Sequence, residues 1–234
     1  MCQHHLMLDN GCLAVRYQLY MEENKMKNVL LIGDSIRAGY DKAVKRTLEG
    51  VANVYFPDDN CRFASYVLRY IHEYKSLAGG KDVDVIHWNA GLWDCLRILG
   101  DEPHTPIEFY KYYIDRICAR IKKVYPNAKV FFATSTSVLS EEMPPDFKRY
   151  NEEIDKYNRA AREVVSGYGF EVDDLYALSE SLPREAHSDS VHYYTPMGTE
   201  AFANKVLSCI APALGLDTIP EYKEELYTDK PIGI

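Results

Sequence analysis

A serine, a histidine and an aspartate stand in settings that suit nucleophilic chemistry. Ser35 follows Gly33 and Asp34 directly after the apolar run Val29-Leu30-Leu31-Ile32, and Asp189-Ser190-Val191-His192 lies near the other end of the chain. A glycine two residues before a serine permits a sharp turn from strand to helix. The hydroxyl then stands at a helix N-terminus, where backbone N–H groups and the helix dipole favour a developing oxyanion. A weak nucleophile of this kind needs a base to take its proton and a third group to orient that base. With acid and base three residues apart, one irregular turn can bring the Asp189 carboxylate to Nδ1 of His192 and leave Nε2 facing Ser35. Each residue also has a plainer role open to it. Serine after a strand often caps a helix, a loop histidine can cap the last helix, and Asp34 is suited to stabilising a helix start.

These residues meet only if the chain folds them to one edge. From Met26 onward, short apolar runs alternate with longer amphipathic ones, a pattern that gives a parallel sheet with helices on both faces. Strands are expected over 28–32, 51–56, 83–88, 129–133 and 170–172. Helices are expected over 37–48 and 63–74, from Pro106 with Ile107, Tyr110, Ile114, Ile117 and Ile121 at helical spacing, and over 146–166. A last helix runs over 197–210, with Thr195 as N-cap and Pro196 at its first position. The result is one three-layer α/β/α domain with a five-stranded, flavodoxin-like parallel sheet, whose ligands sit beyond the carboxyl ends of the strands. Five loops converge there: Gly33-Asp34-Ser35, Asn60-Cys61-Arg62, Asn89 to Asp94, Thr134 to Ser137, and Asp189 to His192.

Composition narrows the partners. Lys and Arg number 27 against 35 Asp and Glu, a formal charge of −8, which argues against a polyanion binder and so against nucleic acid. No apolar stretch of about 18 residues is present to suggest a membrane helix. Residues 1–25 lack the basic start and the small-residue cleavage site of a signal peptide, and read as a flexible or extraneous leader to a domain over 26–214. Residues 215–234 form a tail, packed on the domain or loose. Six cysteines occur without a C-x-x-C pair, which fits reduced thiols and a cytoplasmic setting better than a disulfide frame or zinc site. Cys2 with His4 and His5 lacks the further ligands a designed metal site needs, so no metal or organic cofactor is expected. Cys61 has no nearby histidine in sequence and reads as a buried thiol. Arg62 reads better as a solvated or paired guanidinium than as an anion ligand.

The order Gly33-Asp34-Ser35-Ile36 near the start, with Asp189-x-x-His192 and Thr195-Pro196-x-Gly198 near the end, resembles the GDSL or SGNH hydrolase family of esterases and lipases over residues 28–210. The resemblance implies that Ser35 attacks an ester carbonyl, that His192 serves as base and then acid, and that Asp189 orients it. It also implies an oxyanion hole built from the Ser35 N–H, a glycine N–H and an asparagine amide. Two blocks depart from that pattern. The second-block glycine slot falls on Asn60 or Cys61. The third block reads Gly91-Leu92-Trp93-Asp94, so tryptophan replaces the asparagine, and Asn89 is the nearest substitute. Loss of one oxyanion donor costs roughly 2.7–4 kcal/mol, a deficit a serine hydrolase survives. Asp34, Gly91, Trp93 and Tyr193 are candidates for contact with substrate, with Tyr194 beside them. The expectation is an esterase for a small ester, an O-acetyl or short acyl group on an alcohol such as a sugar. An acyltransferase using the same triad and a non-catalytic binding module on the same fold are the alternatives. A flavin module is disfavoured, because the first loop offers too few donors for a phosphate.

Overall fold

The computed structural model describes residues 26–227; the expected leader, with Cys2, His4, His5 and Cys12, and the last seven residues lie outside them. Five parallel strands make the main sheet: β1 (Lys27–Ile32), β2 (Ala52–Tyr55), β3 (Val85–Trp88), β5 (Lys129–Ala133) and β7 (Glu171–Asp173), in the order β2-β1-β3-β5-β7. The central strands are buried on both faces, as the unbroken runs VLLI and VIHW require of a sheet covered on each side. Val29 pairs with Val54 on one side and with Val85 on the other.

Helix α1 (Ser35–Thr47) starts directly after β1, capped by Asp34, whose side chain accepts the Ile36 N–H at 3.0 Å. It packs against the last helix, α6 (Pro196–Ala213), whose Thr195 cap accepts the Gly198 N–H at 3.1 Å. Helices α2 (Ala64–Tyr70), α3 (Ile107–Val124) and α4 (Asn151–Gly167) also pack against one another, α3 lying between α2 and α4. The apolar stripe of α3, with Tyr110, Ile114, Ile117 and Ile121, is buried. The expected three-layer α/β/α arrangement is the observed one.

Local departures have identifiable causes. The helix expected over 63–74 ends at Tyr70, and a 3₁₀ turn over Glu73–Ala78 follows, stopped by Gly79 at φ 62°. The helix expected over 146–166 begins only at Asn151. Before it, β6 (Phe147–Lys148) pairs antiparallel with β4 (Arg97–Ile98), a ribbon that extended backbone after Pro144-Pro145 permits and a helix would forbid. A short helix, α5 (Leu175–Ser181), was not expected; Asp174 caps it by accepting the Ala177 N–H at 3.2 Å. Beyond α6, the described part of the tail packs on that helix: Tyr222 is buried and its backbone exchanges two hydrogen bonds with the Asn204 amide. Cys61, Cys95, Cys118 and Cys209 are free thiols. No helix among the described residues is long and apolar enough to cross a membrane.

Candidate active site

Ser35 is the first residue of α1, so its N–H has no acceptor within the helix and its side chain stands at the positive end of the dipole. Its Oγ lies 2.8 Å from Nε2 of His192. On the other side of the ring, Nδ1 lies 2.8 Å from Oδ2 of Asp189. The second oxygen of Asp189 accepts the Val191 and His192 N–H groups at 2.7 and 2.8 Å. That turn is why a three-residue spacing suffices: the carboxylate folds the loop and meets the imidazole at once. Burial alone raises the Asp189 pKa, but these two N–H groups and the His192 ring outweigh it and hold the carboxyl below its usual range. The imidazole is 26 % exposed and the carboxylate 52 %, so the relay lies open to a substrate from solvent.

Tyr194 joins the two ends of this relay. Its hydroxyl donates to the Ser35 carbonyl at 2.7 Å, and its ring stacks on His192 with centroids 4.7 Å apart. The ring fits because residue 39 on α1 is glycine: a Cβ there would approach the tyrosine ring to 2.8 Å. Tyr193, expected beside the substrate, points the other way. It is 3 % exposed, its hydroxyl donates to the Ser137 carbonyl at 3.0 Å, and its ring packs on His187 and Phe202. That expectation is corrected, since a side chain sealed in the core cannot touch a ligand.

A polar scaffold holds the loops around Ser35. Arg37, buried beside the Ser35 loop, pairs with Asp41, donates to the Asp59 carbonyl at 2.8 Å and reaches the Gly33 carbonyl at 3.4 Å. It thereby ties the loop after β1 to the loop after β2. Asp34 is fully buried under the turn and serves as the helix cap, so its proposed contact with substrate is corrected. Burial raises its pKa, opposed by hydrogen bonds from the Asn89 side chain and the Ile36 N–H. Asn89 is 3 % exposed and lies against the turn so closely that a Cβ on Gly33 would meet its Oδ1 at 1.7 Å.

Two oxyanion candidates are therefore engaged elsewhere. The Asn89 amide supports Asp34, and the Cys61 N–H donates to the Gly33 carbonyl at 3.1 Å. Asn60 accepts the Arg62 N–H at 2.9 Å through Oδ1, while its amide nitrogen has no partner among the described residues. The strained position of the segment is Arg62, at φ 40°. The backbone N–H of Asn60, the other donor expected at this slot, goes to the Asp59 carboxylate, so of the expected oxyanion donors the Ser35 N–H remains free.

The third-block residues separate by burial. Gly91 is buried and its carbonyl accepts the Cys95 N–H at 2.9 Å, an interior position that corrects its expected substrate contact. Asp94 caps α2 by accepting the Ala64 N–H, and burial pushes its pKa up to about 7. Trp93 is partly exposed, edge-on to Phe63 at 5.8 Å and to Phe147 at 6.4 Å. Among the described residues, no group of three or more His, Cys, Asp or Glu side chains is placed to hold a metal. A groove of about 610 Å³ beside Met26, Lys45 and Phe56 at edge strand β2 shares no residue with the relay.

No sequence-family model matches the chain, and no curated protein sequence does. Its backbone does match solved structures. An acetyl xylan esterase superposes with a TM-score of 0.61 at 16 % identity, over 78 % of this chain and 99 % of that one. A lipase/acylhydrolase from Enterococcus faecalis gives 0.62 at 20 % identity, over 80 % and 96 %. A GDSL-like lipase from Bacteroides thetaiotaomicron gives 0.62 at 15 % identity, over 85 % and 97 %. With its parallel five-stranded sheet between two helical layers, the chain has the fold of the GDSL-type hydrolases.

Proposed function

We propose that this protein is a serine esterase acting on small carboxylic esters through Ser35, His192 and Asp189. The observation that carries the reading is the continuous path from the Ser35 hydroxyl through the imidazole to the Asp189 carboxylate, open to solvent at a helix N-terminus. Ser35 Oγ attacks the ester carbonyl carbon as its proton passes to Nε2 of His192. The tetrahedral oxyanion faces the Ser35 N–H at the start of α1. Collapse breaks the carbon–oxygen bond to the alcohol, which takes the proton from His192 as it leaves. Water then attacks the acyl-serine, giving one proton to His192, and the carboxylic acid departs as Ser35 regains its own. Asp189 fixes the imidazole tautomer throughout and stabilises the imidazolium.

The preferred acyl group is short, acetyl above all, and the alcohol is one that can lie on the Trp93 ring, as a sugar does. Short acyl chains suit a relay set on an open edge. The solved structures of similar fold include an acetyl xylan esterase and several lipases or acylhydrolases, which supports ester chemistry in general. The test is a p-nitrophenyl ester series from acetate to octanoate with the wild type and Ser35→Ala, together with fluorophosphonate labelling. Ser35-dependent turnover that falls with chain length supports the reading. No labelling of Ser35 and no cleavage of any ester would overturn it.

A further inference from the structure

Two arginines are buried among the described residues, and they are treated differently. Arg37 has the carboxylate of Asp41 against it. Arg149, 3 % exposed, forms no ion pair: its Nε donates to the Leu92 carbonyl, and its two terminal nitrogens make no hydrogen bond among the described residues. Both terminal nitrogens keep a sliver of exposed surface. The guanidinium carbon lies 5.6 Å from the Trp93 ring centre and 5.4 Å from that of Phe147, so two aromatic faces hold the planar group. Burying a cation with no carboxylate in direct contact is costly, and the free terminal nitrogens leave room for an added anion to lower that cost.

Its position connects it to the relay. Arg149 contacts the loop after β3 through Leu92 and Trp93, the loop whose Asn89 lies under the Ser35 turn. Arg149 and Asp34, next to the nucleophile, are close enough that each shifts the ionisation of the other. A guanidinium offering two free parallel donors matches the two oxygens of a carboxylate. On a chain of net charge −8, an anionic substrate also needs a local cation to offset general repulsion.

We propose that Arg149, held between Trp93 and Phe147, is a specificity residue that binds a carboxylate carried by the ester substrate. This rests on the esterase reading and narrows it to esters bearing a negative charge close to the scissile bond. The carboxylate sits on the acyl or on the alcohol portion, and two substrate pairs separate these: mono-p-nitrophenyl succinate against p-nitrophenyl butyrate, and 4-acetoxybenzoate against phenyl acetate.

The expected result is at least a tenfold advantage in kcat/KM for the charged member of one pair. That ratio collapses below twofold in Arg149→Met, recovers in part in Arg149→Lys, and shrinks as sodium chloride rises from 50 to 500 mM. The salt series needs no variant, so it decides the matter even if Arg149→Met fails to fold. Neutral esters cleaved without any charged preference, or a preference that survives Arg149→Met, would overturn the carboxylate site while leaving the esterase reading intact. A readout independent of turnover is titration of Ser35→Ala with 4-acetoxybenzoate and with mono-p-nitrophenyl succinate, followed by calorimetry. Saturable, salt-sensitive binding of either supports the site, and binding of neither overturns it.

Discussion

Among the described residues the same three groups, hydroxyl, imidazole and carboxylate, meet in two clusters that differ in access. In one cluster, His192 bridges Ser35 Oγ and Asp189 with 2.8 Å contacts on each side. In the other, His87 bridges the Asp173 carboxylate at 3.0 Å and the Tyr40 hydroxyl at 3.4 Å. The ring and carboxylate are 26 % and 52 % exposed in the first and 0 % in the second. Hydroxyl, imidazole and carboxylate alone therefore do not make a site. The first cluster sits in loops beyond the strand ends, with its hydroxyl at a helix N-terminus. The second lies between β3, β7 and α1, where Lys205 of α6 also reaches Asp173 at 3.4 Å, and its work is to satisfy polar groups inside the core.

The sharpest break between the clusters is removal of the exposed hydroxyl. Ser35→Ala is expected to lower p-nitrophenyl acetate turnover by at least about 10³-fold with little change in thermal midpoint, as active-site titration and calorimetry together would show. Asp189→Asn keeps the shape but loses the charge that orients the ring, and kcat should fall by roughly 10²- to 10⁴-fold. The matching change in the sealed cluster, Asp173→Asn, should reverse the pattern. Leaving His87 and Lys205 without their carboxylate costs about 3 kcal/mol in denaturant titration, with activity per folded molecule retained.

Smaller effects refine the contrast. Tyr194→Phe removes one hydrogen bond to the Ser35 carbonyl but keeps the stacked ring, so a loss of about 1 kcal/mol, a few-fold in kcat/KM, is expected. Asp94 is a buried carboxyl with no imidazole beside it. Its pKa of about 7 when folded lies above the ordinary value near 3.9, so the folded state binds more protons between these limits and stability falls as pH rises from about 4 through 7. Asp94→Asn should flatten that decline in unfolding midpoints measured at pH 5 and pH 8. An unchanged slope would show that Asp94 does not titrate in this range.

Much of this was legible in the residues. Strand, turn and helix around Ser35 follow from an apolar run ending in glycine and a capping aspartate, and the Asp189 to His192 turn follows from its spacing. Other features were hidden for physical reasons. Tyr193 and Tyr194 are adjacent yet face opposite ways, one to the Ser137 carbonyl in the core and one to the Ser35 carbonyl, and nothing in two identical side chains reveals which one meets the core. Asn89 and Cys61 stood at plausible positions for oxyanion donors, but their partners, Asp34 and the Gly33 carbonyl, are set by tertiary packing. The one advance signal for the second cluster was a histidine within the apolar strand over 83–88, since a buried imidazole must find partners. Arg149 fell inside an expected helix, where it would have read as an ordinary surface cation.

The clamp made by Tyr194 has a consequence for the order in which the protein becomes competent. The hydroxyl of Ser35 belongs to the first helix and its base to the last loop, and they are joined through packing of α1 on α6. During synthesis Ser35 emerges early, yet a ribosome-bound chain that ends before Thr195 has no α6 to set His192 and Tyr194 against it. On the proposed reading, Ser35 gains its hydrogen-bonded imidazole only once residues 192–213 have been made and packed on α1, and a product truncated before Thr195 carries the serine as an ordinary alcohol.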